Sequence, residues 1–172
     1  MKHHTRKLTV LAMTLSFALI LSFVESRIPA LVAIPGVKAG LANIAVIFAL
    51  YKLGAREAVV VSLLRVMIVS MLFGSVASLI YSVAGAVLSL SVMILLKRLT
   101  PLSEVTVSVF GGVMHNVGQI IAASLMLSTN VVVYYLPFLL VSGTLAGIAI
   151  GVASALLIKR IPIKSFYEPK KP

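Results

Sequence analysis

The amino-acid sequence predicts an all-α integral membrane protein that forms a single bundle of six transmembrane helices. Three observations carry this prediction: 60% of the residues are hydrophobic, only 11% are charged, and the apolar residues fall into long runs. Soluble domains carry about 25% charged residues, and a run of about 20 apolar residues is long enough to cross a bilayer. We therefore expect the 172 residues to form one membrane domain.

The six predicted spans follow the apolar runs in chain order. The first run comes after a short basic head; it is slightly long for a signal peptide and ends without a small-residue cleavage site, so we expect it to be retained. Polar residues, basic residues and prolines separate the later runs. The spans cover approximately residues 8–24, 37–53, 58–73, 75–96, 105–127 and 131–158.

The net charge of +11 is explained by membrane topology. Six spans place both termini on one side, and twelve of the fifteen Lys and Arg residues fall on that side. An excess of basic residues marks the cytoplasmic side of a membrane protein, where it attracts anionic lipid headgroups. We therefore expect cytoplasmic termini, contact with the lipid bilayer and no nucleic-acid partner.

Five polar side chains fall at membrane depth or at the outer end of a span. The fifth span carries His115, Asn116 and Gln119, whose i, i+3 and i, i+4 spacing puts them on one helical face. Arg65 lies about 12 Å into the third span at the helical rise, and Lys38 begins the second. Such groups are costly in hydrocarbon unless they face protein or a wet cavity. We expect them to line a cavity that opens outward, with Lys38 at its mouth.

The shortage of acids indicates what completes this cavity. Asp is absent, and Glu25 is the one acid near the predicted cavity, while Arg27 in the outer loop adds a further positive charge. This excess of positive charge favours an anionic ligand. The alternative is structural: Arg65 bonds to backbone or to the polar face of the fifth span, that face holds helices together, and the outer basic residues snorkel to the surface.

Lines of small residues mark close helix contacts. Thr14, Ala18 and Ser22 form such a line on the first span, and Gly143, Gly147 and Gly151 form another on the sixth. A line of this kind either docks a partner helix or packs within the chain. Packing within the chain is the commoner use, so partner docking at the first span is a secondary interpretation.

Several classes of chemistry are excluded by what the sequence lacks. The chain has no Cys and no G-x-x-x-x-G-K-[ST] motif, so it has neither thiolate chemistry nor the loop that cradles ATP in P-loop proteins. Diphosphate enzymes that use Mg²⁺ need several carboxylates to hold their metals, and this chain has no Asp and four scattered Glu. We expect no catalytic residues, no metal and no cofactor.

Two segments carry a resemblance to a known family when they are taken together. They are Gly36-Val-Lys-Ala-Gly-Leu-Ala-Asn43 and His115-Asn-Val-Gly-Gln119, supported by Tyr81-Ser-Val-Ala-Gly-Ala86 and Tyr135-Leu-Pro137. With them the sequence resembles, along nearly its whole length, the bacterial membrane family labelled heptaprenyl diphosphate synthase component I, also called the Gx transporter family. That family in turn resembles the substrate-binding S components of energy-coupling factor (ECF) transporters.

The resemblance implies a six-helix fold in a bacterial cell membrane, with a ligand pocket near the outer face beneath the first loop. It implies a place for Lys38 and Asn43 in the segment that follows this loop. It also implies docking of a transmembrane T component at Thr14, Ala18 and Ser22, where Thr and Ser replace the Ala of the S-component motif.

We therefore expect a membrane substrate-binding subunit for uptake of a small anionic or amphipathic solute, energised by a T component and partner ATPases. An accessory or carrier subunit in polyprenyl diphosphate or quinone metabolism is the main alternative, and a self-sufficient secondary transporter is a third. The expected ligand-binding residues are Lys38, Asn43, Arg65, His115, Asn116 and Gln119, with Glu25 and Arg27 as further candidates.

Overall fold

A computed structural model gives the fold and describes residues 2–27, 40–129 and 131–161. These residues form six α-helices, with a 3₁₀ segment at Val131–Tyr135 before the last. The helices are α1 (Lys2–Arg27), α2 (Asn43–Lys52), α3 (Ala55–Phe73), α4 (Val76–Leu99), α5 (Glu104–Leu127) and α6 (Leu136–Arg160). The predicted class, an all-α membrane bundle, is confirmed.

Four helical segments in the described part of the chain are long and apolar enough to cross a membrane. They are Thr5–Arg27, Val76–Leu99, Glu104–Leu127 and Val131–Arg160. The remaining two helices, α2 and α3, do not meet these criteria of length and composition, each for a different reason. Helix α3 has 19 residues, of which Arg56, Glu57 and Arg65 are charged, and α2 is short.

The second predicted span, residues 37–53, is a shorter helix than expected. Helix α2 has 10 residues, which is about 15 Å at the helical rise, or roughly half of the hydrocarbon core. It starts where it does because Gly40 has a positive φ of 75°, a conformation that glycine adopts without strain. The chain then turns, with Asn43 N donating to Gly40 O at 2.8 Å. The first turn of α2 therefore lies inside the bundle.

Helix α2 is the centre of the packing. Six consecutive residues, 45–50, are buried, and the helix contacts α1, α3 and α6. Beyond it α3 packs on α4, α4 on α5, and α5 on α6. A helix that is apolar on all sides belongs in the interior of a bundle, which is the place the fold gives to α2.

Glycines allow α5 and α6 to approach until their backbones touch. A Cβ atom added to Gly147 would lie 2.6 Å from Val109 Cα, and one added to Gly151 would lie 2.7 Å from Val105 Cα. Without a hydrophobic driving force between helices in lipid, such close packing is a main source of helix association. The small-residue line of the sixth span is thus used within the chain.

The small-residue line of α1 also packs within the chain, and its docking to a partner stays a prediction. Thr14, Ala18 and Ser22 are 6%, 0% and 5% exposed, because this face of α1 packs on α2 and α3. The opposite face carries exposed apolar residues, with Met13 68% and Ile20 59% exposed. Small residues give close approach to whichever helix is present, and here that helix belongs to the same chain.

The end of the bundle where α1 starts and α6 ends is held by charged residues. Lys7 forms an ion pair with Glu57, and Lys97 Nζ donates to Leu50 O at 2.5 Å while lying 4.8 Å from the centre of the Tyr51 ring. Burial acts to raise the pKa of Glu57, but the hydrogen bond and positive charge of Lys7 outweigh it, so this pKa lies below its ordinary value. The carboxylate of Glu57 therefore has a structural role in this ion pair.

Candidate functional site

A cavity of about 260 Å³ lies towards the end of the bundle opposite the start of α1 and the end of α6, and all six helices contribute to its wall. The wall is formed by the C-terminal halves of α1 and α3, the N-terminal halves of α2 and α4, the middle of α5 and residues 142–150 of α6. It is polar for a membrane protein, since six serines line it together with a charged and amide-bearing set. That set consists of Glu25, Asn43, Arg65, His115, Asn116 and Gln119.

The contact between Asn43 and Arg65 defines one side of the cavity. The short α2 puts Asn43 at the first helical position, within reach of a side chain halfway along α3. Arg65 Nη2 donates to Asn43 Oδ1 at 3.4 Å, which is a long hydrogen bond, and Arg65 Nε is buried with no hydrogen-bond partner. An unsatisfied buried donor costs about 1–3 kcal/mol, and more when the group is charged. The guanidinium therefore has donors that the described protein groups leave unused.

Glu25 supplies a negative charge to the same cavity without neutralising Arg65 directly. Its Oε1 accepts a hydrogen bond from the backbone N–H of Gly40, which joins the end of α1 to the start of the second helix. Within the described residues, no Glu25 oxygen lies within 4.0 Å of an Arg65 nitrogen, although the two charges interact through space. The cavity thus contains two opposite charges that are not joined in an ion pair.

The polar face of α5 divides into a structural and an available part. Asn116 Nδ2 donates to Leu139 O in α6 at 2.6 Å, so this amide links the two helices. Gln119 lines the cavity and has no hydrogen bond to any other described residue. His115 lines the cavity beside α4, where a Cβ atom on Gly85 would lie 3.0 Å from His115 Cε1. The structural interpretation of this face therefore applies to Asn116, and Gln119 is the residue whose amide is available.

The structure does not place every predicted residue at the cavity. Lys38 lies outside the described residues. Arg27 is exposed and away from the cavity wall, with its guanidinium carbon 5.0 Å from the centre of the Phe23 ring. The serines of the wall were missed as a polar lining, although the i, i+4 spacing of Ser78 and Ser82 was an available signal. Among the described residues, no group of three or more His, Cys, Asp and Glu is arranged to hold a metal ion.

The two amides of α5 should differ in their effect on stability. Asn116→Ala removes the bond to Leu139 O, and we expect a loss of about 1 kcal/mol, or about 2–4 °C in melting temperature for a chain of this size. Gln119→Ala is the matched control on the same face and should leave the melting temperature unchanged. The measurement is thermal unfolding of ligand-free protein in mild detergent. An equal loss in both variants would show that the whole face is structural.

The amino-acid sequence matches one protein-family model. The family described as heptaprenyl diphosphate synthase component I matches residues 14–157, a range that includes every described residue of the polar set at the cavity. Neither the curated proteins nor the solved structures gave a match. The chain belongs to the heptaprenyl diphosphate synthase component I family.

Proposed function

We propose that this protein is a membrane solute-binding subunit that holds a small anionic solute in the cavity and serves its uptake, in the manner of an ECF S component. The observation that carries the proposal is Arg65, which lines the cavity at membrane depth and whose buried Nε has no hydrogen-bond partner. An Arg at this depth costs at least about 2.5 kcal/mol on insertion scales. A bound anion would offset that cost because it supplies charge-assisted hydrogen bonds.

The size and polarity of the cavity support a small solute. Its volume of about 260 Å³ is equal to that of about nine liquid waters and lies just below the range of roughly 300–1,000 Å³ of small-molecule sites. The wall combines an Arg, a Glu, a His, three amides and six serines. Such a wall suits a compact polar molecule, and the ligand-binding roles of Asn43, His115 and Gln119 follow from it.

The second candidate is an accessory or carrier subunit in polyprenyl diphosphate metabolism, and the description of the family favours it. Arg65 is suited to one phosphate group. A long polyprenyl chain, however, is apolar and larger than the cavity, so it would have to lie outside the polar wall. Magnesium-dependent diphosphate chemistry needs clustered carboxylates, and the acids of this chain are scattered. We therefore propose that the chain itself is not an enzyme.

Transport in this manner requires partners that supply energy. The sequence has no P-loop motif, so we propose that a T component and ATPases act with the chain. The line on α1 is buried within the chain, so we propose that such a partner contacts the exposed apolar surface of the bundle. Uptake by liposomes that contain this chain alone would contradict the need for partners and favour a secondary transporter.

We further propose that the protein lies in the bacterial cell membrane with both termini in the cytoplasm, on the strength of the distribution of basic residues. The absence of native cysteines makes single-cysteine labelling specific. An impermeant thiol reagent added to intact cells should label Ser128→Cys between α5 and α6, and should not label Leu102→Cys between α4 and α5; both positions are exposed. The reverse labelling pattern would contradict the proposed orientation.

Native mass spectrometry tests whether Arg65 holds a solute. Protein extracted mildly from its native membrane should carry a molecule smaller than a membrane lipid. A charge-assisted hydrogen bond is worth about 1.5–3 kcal/mol, so Arg65→Gln should lower the affinity about tenfold or more and remove most of the bound molecule. Arg56→Gln is the matched control, since Arg56 is an exposed arginine near the other end of α3.

Two results of this experiment would contradict the proposal: equal occupancy in the wild type and Arg65→Gln, or no bound small molecule in any variant. The proteins that co-purify separate the two candidate functions. A T component with ATPases supports the first candidate, and a soluble prenyl synthase supports the second. Both variants must show the size-exclusion profile of the wild type, so that loss of ligand is not loss of fold.

A further inference from the structure

In the described wall of the cavity, hydrogen-bond donors and acceptors lie in different regions. The net charge of the chain does not reveal this separation. Arg65 in α3 contributes only donors, because a guanidinium has five N–H groups and no acceptor. Glu25 at the end of α1 contributes acceptors, since a carboxylate has about four lone-pair sites and Gly40 N occupies one. The cavity therefore has a donor region and an acceptor region.

Two serines on α1 enlarge the acceptor region. The Ser22 hydroxyl donates to Ala18 O at 2.9 Å, and the Ser26 hydroxyl donates to Phe23 O at 2.7 Å. Since each hydroxyl has a single hydrogen, both oxygens keep lone pairs to offer and no proton to donate elsewhere. Both residues line the cavity with Glu25. This part of the wall is complementary to a group with several donors, such as an ammonium.

We propose that the solute is a zwitterion of the amino-acid type, with its carboxylate at Arg65 and its ammonium at Glu25 and the serines of α1. This inference rests on the proposed function, in which the cavity binds a small solute. It changes the expected solute from a simple anion to a molecule that carries one charge of each sign.

The balance of charge favours a zwitterion over a simple anion. The described lining carries one formal positive charge, on Arg65, and one formal negative charge, on Glu25. A monoanion bound there would leave one uncompensated negative charge in a region of low dielectric, and a diphosphate would leave more. A zwitterion leaves the filled cavity neutral and provides each protein charge with an opposite partner in hydrogen-bonding contact.

A binding series on purified protein in lipid nanodiscs tests the assignment. The probes are the standard L-amino acids, tested one at a time, and inorganic diphosphate; affinity is measured by calorimetry. The best amino acid is then compared with its amine, which lacks the carboxylate, and with its acid, which lacks the ammonium. We expect each one-charge analogue to bind about tenfold or more weakly than the amino acid.

Two variants assign the ends of the solute. Glu25→Gln keeps an oxygen that accepts a hydrogen bond from Gly40 N but loses the charge. It should therefore lower the affinity for the amino acid and leave the affinity for the acid unchanged or higher. Arg65→Gln should lower the affinity for the amino acid and leave the affinity for the amine unchanged. Glu104→Gln, at the start of α5 and away from the cavity wall, is the control and should bind as the wild type does.

The inference is overturned if no amino acid binds, if the acid binds the wild type as tightly as the amino acid does, or if diphosphate binds best. These failures are distinct from a failure of the proposed function. A simple anion that occupies the cavity, and that Arg65→Gln releases, would overturn the zwitterion and leave the solute-binding subunit intact. A cavity that is empty in protein from native membranes would overturn both.

Discussion

The incomplete pairing of Arg65 is the constraint on which the rest of the site depends. A guanidinium at membrane depth must find hydrogen-bond acceptors in protein, water or a ligand. Among the described protein groups, Asn43 Oδ1 accepts one long hydrogen bond from Arg65 Nη2, and Nε has no partner. Glu25, the acid of the cavity, is directed to a backbone N–H. The fold thus holds a positive charge at the cavity without neutralising it in place.

The packing of the helices maintains this arrangement. Backbone contact at Gly147 and Gly151 fixes α6 against α5, and the bond from Asn116 to Leu139 O joins the same helices beside the cavity. The buried α2 is only 10 residues long, so the space above its first turn is not filled by a further helical turn. A short central helix surrounded by closely packed longer ones produces a polar cavity at one end of the bundle.

The sequence predicted the parts of this account that depend on local pattern. The fourth and fifth spans, 75–96 and 105–127, match α4 (Val76–Leu99) and α5 (Glu104–Leu127) closely. The reason is that Lys97 and Arg98 end the fourth apolar run, and Pro101 and Glu104 precede the fifth. The high cost of polar groups in hydrocarbon was sufficient to predict that Arg65 and the polar face of α5 line the same cavity.

Other parts depend on contacts that the sequence does not record. The late start of α2 follows from the positive φ of Gly40. The presence of a glycine in the sequence does not predict which backbone angles it adopts. Glu25 is oriented by a backbone N–H 15 residues away, a partner that no side-chain spacing identifies. Small residues on α1 are compatible with a partner helix or a helix of the same chain, so their burial within this chain could not be read from the sequence.

An experimental structure of the protein, extracted mildly from its native membrane, is the most direct test of the central claim. The account predicts non-protein density in the cavity, at about 2.7–2.9 Å from the Arg65 guanidinium, as in a charge-assisted hydrogen bond. A closed, empty cavity in which Arg65 and Glu25 form a direct ion pair would contradict it, because the protein would then neutralise its own charge.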